Sequence, residues 1–105
     1  MERFKGSTAK LKMKKMVLDS GYYNDTEYTC KVAAYEKEKA NIYLLTGKTE
    51  LPEFSLDAIY ECVLSEEESE ISCLGVIRER YWSKLGKVVV FHIENGFYKN
   101  IVNLK

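Results

Sequence analysis

One proline, one histidine and three cysteines are all that this chain of 105 residues holds of the residues that most often mark rigid loops, acid–base centres and thiol chemistry. A triad or a metal centre built on the lone His92 would need correctly oriented carboxylates or thiols, Glu61 among them, and no spacing in the chain supplies them. His92 is therefore expected to be structural. Cys30, Cys62 and Cys73 form an odd set with no C-x-x-C pair, each inside an apolar or alternating stretch. Cysteine behaves as a small hydrophobe there, so buried free thiols are expected rather than a disulfide scaffold, a redox pair or a zinc knuckle.

Phosphate-binding loops are missing as well. Gly47-Lys48-Thr49 matches only the tail of a Walker sequence, without the preceding glycines that form an anion nest. No run approaches the roughly 18 apolar residues of a membrane span, and the start lacks the uninterrupted apolar core of a secretory signal. A cytoplasmic protein without a membrane span is the expectation. Charge of one sign is absent too: 16 basic residues face 16 acidic ones, which gives no global attraction to nucleic acid or anionic lipid. The distribution is uneven, with Arg3, Lys5, Lys10, Lys12, Lys14 and Lys15 at the start and Glu66, Glu67, Glu68 and Glu70 in the middle.

What is present is a strand-forming chain. A hydrophobic content of 46% supports one core in one domain, read as a flexible basic segment over 1–10 and a β-barrel over 11–105. Alternation suggests a first strand over Leu11–Val17, although Lys15 interrupts it and a short helix would also fit. Tyr28, Cys30, Val32 and Ala34 share a face if Glu27–Tyr35 is extended. Asn41–Leu45 is a short apolar strand, Pro52 lies in a loop, and Phe54 is expected to tuck its ring back beneath that loop. Ala58, Tyr60, Cys62 and Leu64 then alternate, with a two-turn helix as the competing reading. Ser65–Glu70 makes an acidic hairpin or wide turn. Within the long stretch Ile71–Trp82, Gly75 permits a bulge, a bend or a close backbone approach.

Ser83-Lys84-Leu85-Gly86 turns the chain into Val88–Phe91. Asn95-Gly96 favours left-handed dihedrals, and a type I′ turn there would fold Val88–Glu94 back on Phe97–Asn103. Ile93 would oppose Tyr98, Val90 would oppose Ile101, and His92 would lie beside Lys99. The fold class that follows is mainly β, a small antiparallel barrel of six or seven strands, closed because an open sheet would expose its edges.

For recognition, Arg78-Glu79-Arg80-Tyr81-Trp82 is the best local candidate. In a flat strand Arg78, Arg80 and Trp82 share one face as a partner-binding surface, with Tyr81 available for stacking. The alternative is that the arginines pair with the acidic turn. Mixed charge and eight tyrosines suit a protein partner or a homo-oligomer better than a nucleic acid. A nucleotide- or single-strand-binding barrel using the same residues is the second reading. No cofactor or catalytic constellation is expected.

Across Asn41–Lys99, the order Ile42-Tyr43-Leu44, Leu51-Pro52, Cys73-Leu74-Gly75-Val76-Ile77, Arg78-Glu79-Arg80-Tyr81 and Asn95-Gly96-Phe97-Tyr98-Lys99 resembles the amino-terminal barrel beside PilZ domains in YcgR-type flagellar-brake proteins, or a degenerate PilZ-like domain. The resemblance implies a regulatory or docking module, in motility or surface-polysaccharide control. PilZ domains bind cyclic di-GMP through R-x-x-x-R and [D/N]-x-S-x-x-G motifs. Arg78 and Arg80 are only two apart and the second motif is missing, so dinucleotide binding does not carry over.

Overall fold

Residues 4–16, 26–66 and 68–99 are described by the computed structural model, apart from the side chains at 15, 16 and 99. Six strands fill most of that length: β1 (Thr8–Met16), β2 (Glu27–Glu36), β3 (Asn41–Leu45), β4 (Ala58–Glu66), β5 (Ser69–Ser83) and β6 (Gly86–Lys99). Single 3₁₀ turns at Lys37–Lys39 and Leu51–Glu53 break the connections. All pairings are antiparallel, in the order β1-β2-β3-β6-β5-β4, and β1 closes on β4. The expected barrel is therefore present, with six strands, and neither competing helix forms.

Alternation along each strand sends one set of side chains inward. Leu11, Val32, Leu44, Tyr60, Leu64, Ile77, Val89 and Phe91 form the centre of the core. On β4 the expected face is met in full, since Ala58, Tyr60, Cys62 and Leu64 are all inaccessible to solvent. One mouth of the barrel is plugged by Phe4, whose ring centroid lies 5.5 Å from that of Tyr35 and 5.4 Å from that of Phe97. From Phe4 the chain runs directly into the first strand: the Gly6 amide donates to the Val32 carbonyl at 2.8 Å and β1 begins at Thr8. Phe54 seals the other mouth beneath its loop, as expected, 4.8 Å from the Tyr28 ring.

Closing so small a barrel requires sharp bending, and bulges supply it. In β1 the register slips between Met13 and Lys15, where the sequence alternation also fails. In β2 a slip between Val32 and Ala34 pairs Ala34 with Tyr43, so Tyr35 rather than Ala34 joins the core. In β5 the step runs from Ile77 opposite Phe91 to Glu79 opposite Val90, leaving Arg78 as the extra residue. Gly75 provides close approach, because a Cβ there would run into the His92 carbonyl.

The Asn95-Gly96 turn is not formed. Strand β6 continues through both residues to Lys99, pairing with β5 on both sides of a wide bulge: Ile93 faces Gly75 and Phe97 faces Cys73. Gly96 does take the left-handed dihedral that its sequence advertises, at φ 82°, but uses it within the bulge. The preference for a turn amounts to about 1 kcal/mol, whereas burying a side chain such as Ile93 is worth roughly 1.5–3 kcal/mol. A long partner strand and the aromatic plug outweigh the turn. Consequently Tyr98 pairs with Ser72, Val90 with Tyr43 and Glu79, and His92 with Val76 and Asn41, seven residues along the strand from Lys99. Ile101 lies outside the described residues. The expected turn at Ser83–Gly86 does form: Ser83 Oγ accepts from the Leu85 amide at 3.0 Å and donates to the Gly86 carbonyl at 3.1 Å.

Pairing of β4 with β5 ends at Ile59 opposite Val76, yet β5 runs on to Ser83 with β6 alone beside it. The β5–β6 hairpin therefore overhangs the barrel.

Candidate docking cleft

The overhanging hairpin brings aromatic and aliphatic surface into solvent. Trp82 is 70% exposed and Leu85 73% exposed, the two most accessible of the large exposed apolar side chains among the described residues, and Tyr81 is partly exposed beside them. Next to the hairpin opens a cleft of about 750 Å³, lined on the barrel side by Thr29, Lys31 and Leu45 and on the hairpin side by Trp82, Leu85 and Lys87. Lys87 Nζ lies 3.1 Å from Glu50 Oε2 and 5.8 Å from the centroid of the Trp82 ring. The ion pair and the cation–π contact hold the Lys87 stem, which is largely buried, between the hairpin and the β3–β4 connection. A second cleft, of about 590 Å³, adjoins the first through Thr29 and Gly47.

The bulge at Arg78 decides where the recognition candidates point. Upstream of it Ile77 shares the inward phase with Phe91. Downstream, Arg80 pairs with the core residue Val89 and Trp82 with Lys87, while Glu79 and Tyr81 pair with Val90 and Val88. Arg80 and Trp82 thus share a face, and Arg78, itself the inserted residue, falls out of phase with them. Arg80 is occupied structurally: its Nη1 donates to the Phe54 carbonyl at 2.7 Å, tying the seal of the barrel mouth to β5 instead of pairing with the acidic turn. Arg78 is exposed and does not line the cleft. Of the recognition candidates Arg78, Arg80, Tyr81 and Trp82, Trp82 is the one that lines it. Leu85, Leu45, Lys31 and Lys87 were missed. Leu85 carried a legible signal, an aliphatic side chain at the tip of a tight turn with nothing to pack against.

Elsewhere several polar groups are bound into the fold. His92 Nδ1 donates to Asn41 Oδ1 at 2.9 Å, and Glu61 accepts from Tyr98 at 2.9 Å with Lys14 at 3.8 Å. Neither His92 nor Glu61 lines either cleft. Gly47-Lys48-Thr49 belongs to a plain turn in which Thr46 Oγ1 donates to the Thr49 carbonyl at 2.8 Å. All three cysteines are free and buried, with Cys62 directly opposite Cys73. Desolvation pushes the Cys30 thiol up to about 12, and the hydrogen bond with Cys73 followed by burial raises that of Cys62. Such thiols are poor nucleophiles. Among the described residues no cluster of three His, Cys, Asp or Glu side chains could hold a metal ion, and no helix is long and apolar enough to cross a membrane.

The closed six-stranded antiparallel barrel has the broad shape of PilZ and split-barrel domains. No family model, curated protein or solved structure matches the chain.

Proposed function

We propose that this chain is a non-catalytic interaction module that docks a protein partner through the β5–β6 hairpin and the cleft beside it. The observation that carries this reading is the exposure of Trp82 and Leu85 at the mouth of a preformed cleft. Tryptophan in a part-enclosed site is the residue most often responsible for binding energy at protein interfaces. The regulatory setting, in motility or surface-polysaccharide control and within the cytoplasm, rests on the resemblance to flagellar-brake barrels. Arg80 acts in this scheme as a positioning residue for the barrel mouth, and Arg78 as a contact at the margin.

Selection of a displayed random-peptide library on the immobilised protein tests the docking surface. Enriched peptides are expected to lose at least about tenfold in affinity on Trp82→Ala, in line with a central interface tryptophan. Binders indifferent to both Trp82→Ala and Leu85→Ser would place docking elsewhere. Titration with single-stranded RNA, single-stranded DNA and cyclic di-GMP at two salt concentrations addresses nucleotides. Binding that collapses with added salt would favour the nucleic-acid barrel instead.

A further inference from the structure

The cleft is segregated in charge as well as apolar. Lys31 and Lys87 line it, and Lys5, Lys48 and Lys84 directly flank the lining residues Gly6, Gly47 and Leu85. Among the described residues no aspartate or glutamate lines it or flanks a lining residue in the chain, and Glu27, Glu50 and Glu53 line the adjoining second cleft instead. Glu50 neutralises Lys87 from outside the cleft. We propose, resting on the docking reading above, that the occupant is an acidic segment of a partner protein, with one large apolar side chain seated among Trp82, Leu85 and Leu45 and carboxylates on the surrounding lysines.

Two features favour an acidic peptide over a single-stranded nucleic acid. Among the described residues Trp82 is the one aromatic side chain lining the cleft, whereas a nucleic-acid track uses successive stacking platforms. The cations that line the cleft are Lys31 and Lys87, beside the apolar side chains of Leu45, Trp82 and Leu85, and the guanidinium forks of Arg78 and Arg80, better matched to phosphate, lie outside its lining. Point charges around an apolar anchor site suit carboxylates flanking a Leu or Trp side chain.

The test uses fluorescein-labelled peptides of equal length with a central Trp-Leu pair flanked by Glu, by Ser or by Lys, together with oligo(dT), read by anisotropy. The Glu peptide is expected to bind about tenfold more tightly than the Ser peptide, and Lys31→Glu with Lys84→Glu should remove that advantage, as expected for a few exposed charge pairs. Lys39→Glu, whose site lies on the β2–β3 turn and outside the cleft, should leave affinity unchanged. Equal binding of Glu and Ser peptides, both lost in Trp82→Ala, would overturn the acidic partner while leaving the docking reading standing. Absence of binding by every peptide, or oligo(dT) binding tighter than all of them, would overturn the inference. Thermal unfolding of each variant separates loss of binding from loss of fold.

Discussion

Gly75 shows how a single missing side chain sets the distance between two strands. A Cβ at this position would strike the His92 carbonyl and lie 2.8 Å from Phe91 Cζ, both in the packed β5–β6 ladder. Gly75→Ala is therefore expected to destabilise by about 3 kcal/mol, at the upper end for overpacking because backbone must move, seen as a lower urea midpoint with unchanged slope. Cys30 gives a residue-scale test with a pH signature. Its thiol titrates near 9.0 when unburied and is pushed up to about 12 by burial, so the folded protein holds a proton that the unfolded chain releases between those values. Stability from this group is complete below pH 9 and falls as pH rises toward 12. Urea midpoints measured across that window should decline more steeply for the wild type than for Cys30→Ala, and parallel declines would remove Cys30 as a cause.

Among the elements, β6 and the end of β5 are where local preference and tertiary packing disagree. Gly96 sits at φ 82° inside a bulge, so Gly96→Val should cost about 1–2 kcal/mol through left-handed strain while Gly96→Asn costs less. Thermal denaturation of the pair checks the order. On β5, Arg80→Met should cost about 1 kcal/mol by releasing the Phe54 carbonyl, whereas Arg78→Ala should fall within about 0.5 kcal/mol of the wild type. Strand positions and the inward face of β4 were legible because period-two alternation is local. Bulges were not. The extra residue at Arg78 leaves no mark on alternation in a run of exposed residues, so the face shared by Arg78, Arg80 and Trp82 was misread. Asn95-Gly96 has the same composition in a turn as in a bulge. Only the length of β5 across from it, and the aromatic plug around Phe97, select the second.

At the scale of the whole molecule, closure of β1 on β4 and pairing of β3 with β6 make the barrel depend on partners distant in the chain. The β3–β6 and β1–β4 ladders join residues some fifty positions apart, and such non-local pairing places folding in the millisecond-to-second range rather than the microsecond range of helical bundles. Stopped-flow refolding monitored by Trp82 will report poorly on this, since the indole is largely exposed, whereas far-UV circular dichroism should show the slow phase. The legibility of the site follows the same division: Trp82 stood out by type, but the cleft joins β1, β2, β3 and the hairpin, and only the closed topology brings them together. The overhang of β5 beyond its last pairing with β4 has a consequence for how this chain can vary. Residues beyond Val76 on that side are not held in the circular ladder, and the tip at Lys84-Leu85 lies outside the core altogether. Length changes at the tip leave barrel register untouched, so loops of different sequence can be spliced between Lys84 and Leu85 to present new binding surfaces on an unaltered scaffold.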